Sequence, residues 1–392
     1  MSMRVRDACL FTLLCAPLAC SANGNSMTTA ESPTSSGGSE GDGDGSSGDE
    51  TPPAADNHPA SPNPPGGLDP EQVPMFVAIG WDDNADMDGM LWSLGLAEGR
   101  TNPAGTGQAS TYDGAPITMT YYNTGVYTGG TGTAWKQAYD AGHEIGNHTQ
   151  SHGQHLQRLE DIEVWNNEIA DCQGELESLE IPLSEVYGFR TPFLGTADAT
   201  LQAVADAGFL YDCSLEEGYQ PSQDGTNYLW PYTLDNGSPG NDQLVQWDGL
   251  KNAITPKPGL WEMPVYAFIV PPDEVCEQYG VEPGFRDRMK EAADYFDTAG
   301  GKITGFDYNV WYEFEMTPEE VAATWMYTLD LRLQGNRAPF LLGTHTDEYD
   351  AANTHRRQAM EVFLDYALEK PDVRIVSVKQ TLDWIRDPAP LG

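Results

Sequence analysis

The chain has 392 residues, 39% of them hydrophobic, and sets 20 Lys and Arg against 60 Asp and Glu, a formal net charge of −40. A surface this acidic repels nucleic acid and anionic membrane or cell-wall polymers, while a neutral polysaccharide meets no such penalty. Residues 1–72 carry 2 basic and 10 acidic residues, so the remainder still holds a net −32, which also serves plain solubility. That remainder is long enough for one substantial core.

Arg4 and Arg6 precede an apolar run from Ala8 to Ala19 that is too short to span a bilayer and reads as a signal peptide, residues 1–20. The PLAC-S sequence at Cys20 resembles a bacterial lipoprotein cleavage box, although Pro17 departs from the usual aliphatic residue. The expectation is an exported protein with a lipid anchor at Cys20, on the outer membrane or cell surface. Ordinary signal cleavage and free secretion is the alternative. Residues 21–72 are rich in Ser, Gly, Pro and Asp and nearly empty of large apolar side chains, so they read as a disordered linker. Three of the six cysteines fall in the leader, leaving Cys172, Cys213 and Cys276, which allow at most one disulfide.

From residue 73 to 392 the pattern is one domain of alternating elements. Strands are expected at 75–81, 117–123, 143–148, 186–190, 209–214, 261–268, 339–345 and 373–378. Helices are expected at 87–98, 134–141, 156–180, 197–207, 285–299, 317–334 and 354–369. The helix near 317 has the clearest start, with Thr317 as N-cap, Pro318 in the first turn, then Glu319 and Glu320. Residues 215–260, with many Gly, Pro, Asn and Asp, read as a long insertion loop. The alternation argues for a parallel α/β fold, open or closed into a barrel, with chemistry gathered at the carboxyl ends of the strands.

Four polar groups sit at such ends. Asp82 and Asp83 follow the run ending in Trp81, and His148 and His152 are spaced as HTQSH, which would place both imidazoles on one helical face. His143 and His155 flank that pair and read as structural. Arg190 closes a strand in GFRTPF, and His345 closes another in LLGTH. Any one of these alone is explained by a surface helix or an ordinary salt bridge. Together they supply what a metal hydrolase needs, with two His and a carboxylate leaving a position for water.

These residues resemble the polysaccharide deacetylase family (carbohydrate esterase family 4, the NodB-homology domain), whose motifs read here, in order, WDDN, HTQSH, RTPF and LLGTH. The segments LWPYTLD, PGLWEM and NRAPF look like those of insect-type chitin deacetylases and their bacterial relatives. The resemblance implies a distorted (β/α)7 barrel and a metal-dependent hydrolase that removes N-acetyl groups from a polymer such as chitin. It implies Asp83, His148 and His152 as ligands of a divalent metal, zinc first, Asp82 as general base, Arg190 as its partner and His345 as general acid. The backbone N–H of Phe193 would face the oxyanion. Asp212 and Asp235 compete for the carboxylate that orients His345. Trp261 is a candidate sugar platform or a core residue.

Trp81 and Asn84 depart from the family's Phe and Gly around the Asp pair. Gly343 stands where an apolar residue commonly lines the acetyl-methyl pocket, so Leu341 or Leu342 would have to fill that role. The other readings are the same chemistry on peptidoglycan or O-acetylated xylan, and a non-catalytic carbohydrate-binding protein on the same fold. Oligomeric state is left open by the sequence.

Overall fold

The computed structural model describes residues 56–247 and 249–392. The leader, Cys20 and the linker up to residue 55 lie outside the described residues. The strands are β1 Met75–Asp82, β2 Thr120–Asn123, β3 Glu144–Asn147, β4 Gly188–Phe189, β5 Tyr211–Asp212, β6 Glu216–Glu217, β7 Tyr232–Thr233, β8 Trp261–Glu262, β9 Val265–Ile269, β10 Lys302–Thr304, β11 Phe340–His345 and β12 Val373–Ile375. The helices are α1 Met87–Ala97, α2 Thr128–Asp140, α3 Ile162–Ser178, α4 Asp198–Asp206, α5 Pro239–Gln246, α6 Phe285–Ala292, α7 Pro318–Gln334, α8 Thr354–Leu368 and α9 Val378–Arg386.

The main sheet runs β11-β1-β2-β3-β4-β5-β8-β7, parallel throughout except for β7, with β12 paired to the start of β1. The smaller sheet, β10-β9-β6, returns to β11 where the Gly343 N–H donates to Gly305 O at 3.0 Å. Seven parallel strands thus curl around one interior as a distorted (β/α)7 barrel.

β1 shows why. All eight of its residues are buried, as expected for a parallel strand covered on both faces. Met75, Val77, Ile79 and Trp81 join the core beneath the helices, whereas Phe76 and Ala78 join the separate core inside the curl. Gly80 and Asp82 continue the inner face. In β11, paired in register with β1, Phe340 and Leu342 face the helices and Leu341 faces inward, which aligns His345 with Asp82.

The expected elements are present, with shifted ends. The helix expected at 134–141 begins at Thr128, and the one expected from 156 starts at Ile162, where Asp161 caps it. The helix expected to reach 299 stops at Ala292, where Ala293 turns to extended backbone, and the Asp297 carboxylate then accepts from the N–H groups of Ala299 and Gly300 in a turn. Thr317 caps α7 with a capping box on Glu320, as its sequence indicates. The strand expected to run to 378 ends at Ile375 because Ser377 caps α9 through Gln380.

Residues 215–260 are not a plain loop. They carry β6, β7 and α5, and they place Tyr228, Trp230 and Tyr232 in the cores. Two-residue strands leave too little periodicity to read. The linker boundary expected at residue 72 also moves. Residues 56–72 belong to the folded unit, where the N–H of His58 donates to Thr233 Oγ1, Thr233 N–H donates to His58 O, and Trp230 N–H to Ser61 O. This stretch has few apolar side chains, Ala60 and Leu68 packing on the cores, and it satisfies the open edge of β7 through its backbone. Cys172, Cys213 and Cys276 are all buried and free. No helix among the described residues is long and apolar enough to cross a membrane.

Candidate active site

Asp82 ends the inner face of β1, almost fully buried, and the Arg190 guanidinium donates to its Oδ1 at 2.7 Å. Arg190 is itself buried at the end of β4. It also donates from Nε to Cys213 O and from Nη2 to Cys213 Sγ, and it lies 4.2 Å over the Tyr122 ring. A buried ion pair is tolerable only when its remaining donors are engaged in this way. Gly80 makes the room, for a Cβ there would stand 2.8 Å from Arg190 Nη1. Burial pushes the Asp82 carboxyl above its ordinary range, with Arg190 and then His345 pulling the other way.

Just past the strand, Asp83 and Asn84 adopt left-handed backbone, φ 60° and 56°. Asn84 tolerates that region better than most side chains, and its amide donates to Trp81 O and Tyr122 O, so it does the work of the glycine usual at this place. After the turn the Thr124 hydroxyl donates to Asp83 Oδ1 at 3.0 Å, and His148 Nε2 lies 3.7 Å from both Asp83 Oδ1 and Asp82 Oδ2.

His148 and His152 follow β3, but on an irregular turn rather than a helix. Left-handed backbone at Thr149 (φ 69°) and His152 (φ 48°) folds the segment back, and the two rings sit 5.0 Å apart. The i, i+4 spacing therefore brings the rings together by a route other than the one it suggests. His148 Nδ1 lies 2.7 Å from Arg190 O, which makes it the donor and leaves Nε2 with a free lone pair. Burial, and then His152, lower the His148 imidazole to about 3, so it is neutral.

The Nε2 atoms of His148 and His152 stand 3.7 and 3.5 Å from Asp83 Oδ1, and one donor atom from each of the three residues lies within 4.8 Å of the others. Tetrahedral ligands at ~2.1 Å from a zinc ion are about 3.4 Å apart, so the donor set fits a divalent cation in charge, softness and spacing. His143 and His155 stay outside it. His143 accepts the Met119 N–H and is lowered by burial to about 4, and His155 is exposed on a short turn.

His345 ends β11 opposite Asp82. Its carboxylate partner is Asp307, with Nδ1 2.8 Å from Oδ1, rather than Asp212 or Asp235. Asp307 Oδ2 accepts from the His345 N–H and the Thr344 hydroxyl. Burial opposes a charge on His345, but Asp307, then Asp83 and Asp82, outweigh it and lift the imidazole to about 10. Asp212 instead accepts from the N–H and hydroxyl of Ser214, whose oxygen accepts the Thr191 N–H, so it props the turn after Arg190. Asp235 accepts the Gly259 N–H. Asp307 escapes sequence reading because β10 has only three residues, although GFD repeats the signal of an apolar residue closing on a carboxylate.

The expected substrate contacts divide. Phe193 is 42% exposed at the rim, with its ring 4.4 Å from that of His152. Leu342 faces the helices and is fully buried, so it cannot line a pocket beside His345. Leu341 is buried in the inner core. The space above Gly343 is filled by Phe306, whose ring would stand 2.2 Å from a Cβ there. That ring lies 5.4 Å from His345 and 5.3 Å from the Arg190 guanidinium, in a small apolar cluster with Leu194 and Val265. Trp261 is a core residue, its indole N–H bonded to Asp56 and its ring beside His58.

Residues 111–211 match the polysaccharide deacetylase family model. The chain is 25% identical over 343 residues to chitin deacetylase 8 of Bombyx mori, covering 85% of this chain and 76% of that one. A solved structure from Mycobacterium smegmatis, named as a polysaccharide deacetylase, covers 84% of this chain and 96% of its own at 17% identity and a TM-score of 0.47. Another so named, from Pseudomonas aeruginosa PAO1, covers 82% and 95% at 13% identity and a TM-score of 0.46. The matched segment runs from β2 to the start of β5 and contains both histidines of the cluster and the arginine that pairs with Asp82, so this part of the chain is similar to the polysaccharide deacetylase family where the candidate site lies.

Proposed function

We propose that the protein is an exported, zinc-dependent deacetylase that removes N-acetyl groups from an N-acetylglucosamine polymer such as chitin. The observation that supports it most is the pairing of one carboxylate clustered with two histidines and an adjacent one bonded to a buried arginine. Asp83 lies with His148 and His152, while adjacent Asp82 is bonded to Arg190.

In this reading Asp83, His148 and His152 hold a divalent ion. When bound, such an ion supplies Lewis acidity toward the acyl carbonyl oxygen and a water ionisable near neutral pH. Asp82 takes the proton from the attacking water, and Arg190 keeps its carboxylate oriented and ionised. Burial gives Asp82 a carboxyl more basic than an exposed one, which suits a base working near neutrality. The Phe193 N–H faces the developing oxyanion. His345, protonated and held by Asp307, gives its proton to the departing amine, and acetate leaves. Phe306, Leu194 and Val265 offer the acyl methyl an apolar seat.

The test is acetate release from chitin oligosaccharides by the purified protein, with a chelator and with zinc restored. Release that is lost on chelation and regained with zinc, and absent in a metal-loaded Asp82→Asn protein, supports the reading. Release from acetylated xylan alone would move the substrate, and none from either polymer would remove the enzyme.

A further inference from the structure

Trp247, just after α5, is 42% exposed, whereas Trp81, Trp135, Trp165, Trp230, Trp261 and Trp325 are fully buried. An indole left in water forgoes the burial that its large apolar area would gain, unless something covers it. It is not a loose residue. The Tyr219 ring meets it edge-on, with centroids 6.1 Å apart and planes at 78°.

The loop after Trp247 is tied to both sides of the active site. Lys251 Nζ donates to Leu194 O at 2.8 Å, in the turn that carries Phe193, and pairs with Glu216 at 2.6 Å. Glu216 accepts from the Thr304 hydroxyl, which also bonds to Tyr219 Oη, and Thr304 leads directly into Phe306 and Asp307. Arg158 closes a third tie, donating from Nη1 to Gly249 O and from its backbone N–H to Gly195 O. Trp247 therefore stands on a rim continuous with Phe193 on one side and with the segment holding His345 on the other.

We infer that Trp247 is a stacking platform for a pyranose ring of the glycan, away from the sugar being deacetylated. The inference rests on the glycan-deacetylase reading above. A polymer whose acetamido group reaches His148, His152 and His345 must run on past the site. A flat indole, rigid and amphipathic, suits the apolar face of a sugar ring and costs little conformational entropy on binding. Binding gained at such a remote sugar favours long chains over short ones.

The test uses full-length Asp82→Asn protein, titrated calorimetrically with five-unit and two-unit chitin oligosaccharides, with and without Trp247→Ala. The expected result is about a tenfold rise in Kd for the five-unit chain, with less than a twofold change for the two-unit sugar. Trp247→Phe is expected to recover most of the loss. An unchanged five-unit Kd, equal weakening of both ligands, or no binding of the five-unit chain by the parent overturns the platform. Five-unit binding that depends on Trp247, alongside wild-type protein that releases no acetate, would keep the platform and sink the deacetylase reading.

Discussion

Asp307 and His345 are 38 residues apart in sequence and joined twice: Nδ1 lies 2.8 Å from Oδ1, and the His345 backbone N–H donates to Oδ2 at 2.9 Å. The double contact fixes the ring's orientation, with Nδ1–H donating to Asp307 and Nε2–H directed toward the reacting groups. Asp307→Asn keeps the shape but removes the charge that holds the imidazole protonated. Its kcat for acetate release should fall about 10²-fold or more, with KM and metal content little changed. Unchanged kcat would remove Asp307 from the proton path.

The cluster of Asp83, His148 and His152 makes a prediction that needs no turnover. Wild-type protein should bind one zinc per chain and melt higher with it, by about 2.7 kcal/mol of added stability at a zinc level 100 times Kd. His148→Ala and His152→Ala should each lose most of the metal and most of that gain. Full stoichiometry in both variants, measured by elemental analysis, would refute the assignment.

Phe306 and Gly343 form one interlocked unit, since the ring fills the space where a side chain at 343 would stand. Gly343→Leu alone should destabilise the fold by roughly 1–3 kcal/mol through overpacking. Combining it with Phe306→Ala should recover much of that loss, a coupling that a double-mutant cycle of melting midpoints measures. Phe306→Ala alone should raise the rate on N-propionyl relative to N-acetyl substrates. An unchanged acyl preference would mean the ring does not bound the acyl group.

Away from the site, Asp113 and Arg374 form a buried pair at 2.6 Å. Burial pushes the Asp113 carboxyl up, but Arg374, the Gln108 N–H and the Thr111 hydroxyl outweigh it and hold it at about 2. The unfolded chain takes up this proton near pH 3.9, so the stabilisation is whole above that pH and fades as pH falls toward 2. Its size is of order 2 kcal/mol. The gap in melting midpoint between wild type and Asp113→Asn should therefore narrow from pH 5 to pH 2.5. A gap that stays constant across that range would refute the pair's part in acid stability.

Sequence by itself determined the alternation of strands and helices, the strand ends that carry Asp82, Arg190 and His345, and the helix start at Thr317. Those signals are local: apolar runs, a capping box, a polar residue closing a strand. Tertiary structure decided the rest. The partner of His345 came from the three-residue strand β10, too short to show a period, and it displaced Asp212 and Asp235. Strand register decided that Leu342 faces the helices, and the bridge between Phe306 and Gly343 put an aromatic ring in the place that the sequence assigned to Leu341 or Leu342. Left-handed turns, not a helix, brought His148 and His152 together, because their spacing is compatible with both. Trp261 opens an expected strand and Trp247 lies in the expected insertion loop, but neither position by itself separates a core residue from a rim residue. Only the packing of the strap at Asp56 and His58 made one core, and only the ties to Leu194 and Thr304 left the other on the rim of the site.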